Sequence, residues 1–176
     1  MLASHGDLSI VLDHVADGVT VQNRSGRLVY ANAAAARVLG FAGQEALLAT
    51  PPAEILRRFE MFDDDGHPFP PERLPGRLAL QGETAPPITI RYRTLPGGED
   101  RWSSLRATPV TGDDGQVAYA VNVWHDITDQ KRTEYRQRFL MQAGELLASS
   151  LDVEATLGII AELAVPELAD WSAVHL

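Results

Sequence analysis

Apolar residues recur at two different periods along the chain. Leu8, Val11, Leu12 and Val15 fall at helical spacing, so an amphipathic helix is predicted over residues 8–15. From Gly18 the period shortens to two. Val19 and Val21 alternate with Thr20 and Gln22, the polar run Asn23-Arg24-Ser25-Gly26 follows, and Leu28, Val29 and Tyr30 resume, which predicts strand, tight turn, strand. Asn32 stands where it would cap a helix through the alanines to Val38 and Leu39, with Gly40 as its stop. A second short helix is predicted from Gln44, and a third over residues 52–59, where the leading prolines suit a first turn. Residues 63–71 are predicted as loop, because clustered acids repel and prolines refuse both a helix interior and a central strand.

Leu74, Leu78 and Leu80 predict one more helix over residues 72–81, closed by Gly82. Three strands then follow at 88–95, 101–110 and 117–125, separated by the turn-forming runs Pro96-Gly97-Gly98 and Gly112-Asp113-Asp114-Gly115. Two strands, a block of short helices and three meandering strands make an α+β domain: a five-stranded antiparallel sheet with short helices on one face. Beyond Thr128 the chain turns charged and helical, with Phe139, Leu140, Ala143, Leu146, Leu147 and Leu151 forming an apolar stripe that calls for a partner. Asp152 would cap a last helix carrying Leu157, Ile160 and Leu163, which Pro166 ends before a strand-like run at 169–174.

Composition narrows the function. The 176 residues carry 15 Lys and Arg against 24 Asp and Glu, a net charge of −9 that repels phosphate backbones and anionic lipid, so neither nucleic acid nor membrane is an expected partner. With no cysteine, disulfides, thiolate metal sites, cysteine nucleophiles and cysteinyl cofactor adducts are all excluded. The opening residues lack a secretion signal and no segment is apolar enough to cross a bilayer, so a cytoplasmic location is expected. His14, His67, His125 and His175 are scattered without metal-binding spacing, and no serine sits in a nucleophile elbow. The acids at 63–65 and 113–114 fall in turns, where charge is ordinarily just solvated, so no metal and no catalytic residue is assigned.

The order of elements, Gly26 in the first turn, Tyr30-Ala31-Asn32 on the second strand, and Asp126-Ile127-Thr128 directly before the charged Lys131-Arg132 helix together resemble the PAS family over residues 8–128. Leu151-Asp152-Val153-Glu154-Ala155-Thr156-Leu157 and Pro166-Glu167-Leu168-Ala169-Asp170-Trp171 look like the opening of a GAF domain. The resemblance implies an N-terminal helical cap at 1–17, a PAS domain at 18–128, a coiled-coil-like signalling helix at 129–151 and an incomplete GAF start at 152–176. It also implies a sensory piece of a larger bacterial signalling protein. Relatives of that layout end in a PP2C-type serine/threonine phosphatase or a histidine kinase; neither output domain is in this sequence, and residues 129–150 hold no phosphoacceptor histidine.

In that family the ligand cavity lies between the sheet and its short helices. The family register turns Thr20, Gln22, Ser103, Leu105, Ala107, Asn122 and Trp124 inward, and Leu39 and Leu78 are the apolar candidates from the helices. The other face then carries Val19, Val21, Trp102, Val121 and Val123, to be covered by the leading helix or a second subunit; a slip of one residue exchanges the two sets. Buried Gln22 and Asn122 without partners would cost about 1–3 kcal/mol each, which argues for a ligand or ordered water, against a closed core with internally satisfied polar groups. The cofactor is left unknown. Family haem sites need a histidine on or near the helix before the third strand, where 74–81 has none, and covalent flavin needs the missing cysteine. A hydrophobic small molecule such as a fatty acid suits an uncharged cavity. The leading expectation is therefore a non-enzymatic, ligand-responsive sensor that forms a homodimer and acts on a downstream domain of its own chain. The alternative is a PAS module that binds nothing small and only joins two chains.

Overall fold

The computed structural model describes residues 12–149. They fall into two units divided between Ile127 and Thr128, the first a sheet with helices and the second a single helix. Half of the predicted leading helix, residues 8–11, and all of the segment resembling a GAF domain lie outside the described residues.

Strands β1 (Gly18–Asn23) and β2 (Leu28–Ala31) form the predicted hairpin. Its turn is tied by the Asn23 carboxamide, whose Oδ1 accepts from the Ser25 amide at 3.1 Å, the Ser25 hydroxyl at 2.7 Å and the Arg27 amide at 3.0 Å. Gly26, at φ +78°, supplies the left-handed residue that turn needs. Helix α1 (Ala33–Val38) buries Ala34, Ala35 and Ala36. Small residues matter here. Gly18 of β1 lies so close beneath α1 that a Cβ on it would sit 3.1 Å from the Ala35 Cα, a separation that larger side chains would force apart.

Helices α2 (Gln44–Ala49) and α3 (Pro52–Leu56) follow, the latter with proline in its first turn. The predicted third helix stops at Leu56, short of Phe59. Residues Phe59–Phe62 instead form β3, antiparallel to the later β4, with Phe59 opposite Thr94 and Met61 opposite Tyr92. Phe59 meets the Tyr92 ring edge-on at 5.9 Å, and the Arg91 guanidinium stacks on Phe62 at 4.9 Å, so tertiary partners across the sheet outweigh a local helical preference. The sheet therefore has six strands, not five.

The helix predicted over 72–81 is broken. Pro71–Arg73 make one 3-10 turn, Leu74 is extended, and α4 (Pro75–Leu80) starts afresh with Pro75 at its head. Proline disfavours helical backbone in the residue before it, which explains the break at Leu74. Strands β4 (Ile88–Thr94), β5 (Asp100–Thr111) and β6 (Val117–Asp126) complete a wholly antiparallel sheet in the order β2-β1-β6-β5-β4-β3. The first strand thus lies beside the last. One buried cluster joins Leu28, Ala31, Ala35, Leu39, Leu47 and Ile55, and a smaller one joins Ala79, Ala107 and Ala120 under α4.

The second unit is α5 (Thr128–Ser149), beginning one residue before the predicted signalling helix. Within it Leu140 and Met141 are 62% and 65% exposed, so part of the apolar stripe faces solvent.

Candidate ligand cavity

The register decides which side chains meet. Across β1, β6 and β5, Thr20 pairs with Asn122 and Asn122 with Ala107, while Gly18 pairs with Trp124 and Trp124 with Leu105. Residues two apart share a face, so Thr20, Gln22, Leu105, Ala107, Asn122 and Trp124 all point to the helical side. Val19, Val21, Val121 and Val123 lie on the other face as a second set of cross-strand partners. The inward row is graded in size. Gly18, opposite Trp124, contributes no side chain, and a Cβ there would lie 3.4 Å from that of Trp124.

A cavity of about 430 Å³ opens between this face and the helices. The sheet contributes Thr20, Gln22, Leu105, Asn122 and Trp124; Leu39 comes from the end of α1, Ile55 and Leu56 from α3, and Leu74, Gly76 and Leu80 from α4 and the residue before it. Six of the eight sequence-derived candidates line it: Thr20, Gln22, Leu39, Leu105, Asn122 and Trp124. The other two lie elsewhere. Ser103 is fully buried on the same face, but its hydroxyl donates to the His125 carbonyl at 3.1 Å and serves the sheet. Leu78 is displaced by the new start of α4 at Pro75. In that phase Gly76 and Leu80, four apart, share the cavity side, and Leu78 lies about half a turn away from each. The break before Pro75 was the signal that would have exchanged Leu78 for Leu74, Gly76 and Leu80.

The cavity's polar side is chemically unusual. Asn122 is 8% exposed, and its Nδ2, the Gln22 Oε1 and the Trp124 Nε1 are all buried with no hydrogen-bond partner. Gly76 brings α4 against the two carboxamide oxygens: a Cβ on it would meet Asn122 Oδ1 first and lie 2.9 Å from Gln22 Oε1, so any larger residue would push into them. Three arginines line the cavity, Arg24, Arg77 and Arg106. Arg24 donates to Asp114 at 2.6 Å and to the Val117 carbonyl at 2.7 Å, and Arg77 faces Glu72 at 3.8 Å. The Arg24 hydrogen bond holds the Asp114 carboxyl below the ordinary carboxylate range, with the Gln116 amide adding to it.

Other polar groups have structural work. Asn32 is completely buried; its Oδ1 accepts from the Ala35 amide at 2.8 Å and the Val19 amide at 2.9 Å, while its Nδ2 donates to the Leu12 and Asp17 carbonyls, each at 2.9 Å. Its role is thus wider than the cap predicted for it. At the end of β6, His125 Nδ1 lies 2.6 Å from Asp17, Arg101 is 3.7 Å from Asp126, and the Ile127 amide donates to the Trp102 carbonyl at 3.0 Å. Asp63, Asp65 and His67 bring ligand-type atoms within 4.8 Å of one another, a grouping the sequence reading missed. Asp63 is already accepting from the Asp65 and His67 amides at 3.0 and 2.8 Å, bonds that build the turn and hold its carboxyl below the ordinary range.

The model of a family described as the PAS fold matches residues 12–132. No curated protein matches the chain. Among solved structures, the chain is similar to an RNA-binding light-oxygen-voltage receptor, at 23% identity and a TM-score of 0.51 over 74% of this chain and 36% of that one. It is also similar to the PAS domain of a protein from Colwellia psychrerythraea, at 17% identity and a TM-score of 0.50 over 70% of this chain and 97% of that domain. A third likeness is to the VqmA dimer of Vibrio cholerae, at 14% identity and a TM-score of 0.50 over 73% of this chain and 54% of that one. The chain therefore spans about a third of the receptor's length and about half of VqmA's. At such identities the likeness speaks to the fold alone, and it agrees with the family match, which takes in well over half of the sequence. The chain belongs to the PAS family.

Proposed function

We propose that this chain is a sensor, binding a small molecule in the cavity between α4, α3 and the sheet and passing its occupancy along β6. The observation that carries this reading is the trio of buried, unpartnered polar atoms on Gln22, Asn122 and Trp124. A closed core leaves such atoms at a cost of about 1–3 kcal/mol each, and evolution removes that cost cheaply by an apolar substitution. The volume falls in the range of ordinary ligand sites, roughly 300–1,000 Å³. Asn122 and Trp124 both stand on β6, the strand that runs directly into Asp126-Ile127-Thr128 and α5. Ligand contacts on that strand have the shortest covalent path to whatever follows. In this reading the chain is regulatory and not catalytic, works in the cytoplasm as a homodimer, and acts on a phosphatase or histidine kinase domain of the same protein. Among the described residues no helix is long and apolar enough to cross a membrane.

Hydrogen exchange on the protein as purified, compared with protein unfolded, dialysed and refolded to strip bound molecules, tests the reading. Faster exchange in α4, β1 and β6 after stripping is the expected result. Identical exchange in both preparations, with native refolding shown by circular dichroism, would contradict it.

A further inference from the structure

We propose that the Arg24 side chain is a strap across the mouth of the cavity, fastened to Asp114, past which small molecules enter and leave; the inference rests on the cavity being a ligand site. The cavity's polar floor is covered, with Thr20 1% and Asn122 8% exposed, whereas Arg24 and Ser25 of the β1–β2 turn, Arg77 of α4 and Gln81 just beyond it are exposed lining residues. Arg106 is exposed as well, but it alternates with the inward Leu105 and Ala107, so its side chain leaves on the other face of the sheet. The opening therefore lies between the β1–β2 turn and the C-terminal part of α4. Across it, Arg24 Nε donates to the carbonyl of Val117, the first residue of β6, at 2.7 Å, and Nη2 donates to Asp114 in the β5–β6 turn at 2.6 Å. Gly82, beyond the end of α4, reaches the same place: a Cβ on it would lie 3.9 Å from Val117 Cγ2. The guanidinium is thus fixed at the start of β6, where the end of α4 meets the strand.

The turn that carries the strap is not itself a lid. Asn23 Oδ1 accepts three hydrogen bonds within it and the Gly26 amide donates to the Asn23 carbonyl at 2.8 Å, so the backbone is held and opening falls to the Arg24 side chain, swinging on its own torsions. The fastening suits that motion. The Arg24 and Asp114 side chains are 54% and 52% exposed, and an ion pair so wetted favours the fastened state over the released one by only about two- to fivefold. The Gln116 amide donates to Asp114 Oδ1 at 3.0 Å, which holds the carboxylate in place and leaves Oδ2 for Arg24. Asp114 stands outside the lining, so it acts on passage and not on the bound molecule.

Acrylamide quenching of Trp124 tests this in the full chain carrying Trp102→Phe and Trp171→Phe, stripped of bound molecules by unfolding and refolding. Trp124 lines the cavity at the far end of β6 from Val117, so a quencher that reaches it through the mouth passes the strap. Asp114→Asn keeps the acceptor for the Gln116 amide and removes the charge that holds Arg24. The expected result is a quenching rate constant about two- to fivefold higher with Asp114→Asn than without it, and circular dichroism spectra unchanged. Sodium chloride at about 1 M is expected to raise quenching by the same factor where Asp114 is present and to add nothing in Asp114→Asn. Asp113→Asn, an equal loss of charge in the same turn, is expected to leave quenching as it was. Equal quenching with and without Asp114→Asn would overturn the strap, and so would an equal rise in Asp113→Asn. Because no ligand is added, either result leaves the sensor reading standing; that reading falls if hydrogen exchange is identical before and after stripping.

Discussion

At the scale of single residues, Asn32 and Tyr92 show opposite fates for a buried polar side chain. Asn32 satisfies two amides and two carbonyls, joining the chain before β1 to both β1 and α1. Asn32→Ala removes the cap and strands the Val19 amide, and is expected to cost about 3 kcal/mol in urea denaturation. A loss under about 1 kcal/mol would mean that water replaces the carboxamide. The Tyr92 hydroxyl is buried without a partner, and burial pushes its pKa up to about 12, the Asp126 carboxylate adding and Arg101 offsetting. The folded chain keeps that proton in a range where the unfolded chain, near the ordinary value of 10, has released it. The contribution of Tyr92 is thus whole below about pH 10 and is lost as pH rises towards 12, by on the order of 2 kcal/mol. Tyr92→Phe is expected to leave stability at pH 7 within about 1 kcal/mol and to flatten the decline between pH 10 and 12. A large loss at pH 7 would show that the hydroxyl has a partner after all.

At the scale of elements, the alternation of Val19 to Gln22 and the polar turn from Asn23 to Gly26 made the β1–β2 hairpin legible, because turn chemistry and period pointed the same way. The inward set was legible for the same reason: with Thr20 opposite Asn122, the whole row follows. Two elements were not. Phe59 reads as the end of a helix and residues 60–62 as no element until their cross-strand partners on β4 are known, and nothing local announces Tyr92 or Arg91. The break at Leu74 was written in Pro75, but a helix with proline in its first turns is common enough to hide it. That single phase error substitutes Leu78 for Gly76 and Leu80 at the cavity. Helix α5 leaves Leu140 and Met141 in solvent, as a helix that packs against a second copy would. If α5 carries the contact of the proposed homodimer, the double variant Leu140→Glu, Met141→Glu gives a monomer in light scattering at the micromolar concentration where the wild-type chain gives a dimer. An unchanged mass would place any dimer contact elsewhere.

At the scale of the whole molecule, the account has one cause running through it. The pairing of the first strand with the last sets Thr20 and Gln22 beside Asn122 and Trp124, and this puts the cavity's polar side on the strand that leaves the domain. The proposed response to a ligand fits an exit strand that carries one unserved carboxamide, Asn122, and one unserved indole N–H, Trp124. Nothing in the sequence could reveal this directly, since satisfied and unsatisfied amides look alike until partners are placed. The most direct measurement is native mass spectrometry of the full chain paired with a denatured spectrum. The account predicts a mass excess per subunit, in the range of a small organic molecule, that vanishes on denaturation. A native mass equal to the polypeptide alone, from protein isolated without extraction or refolding, would contradict it.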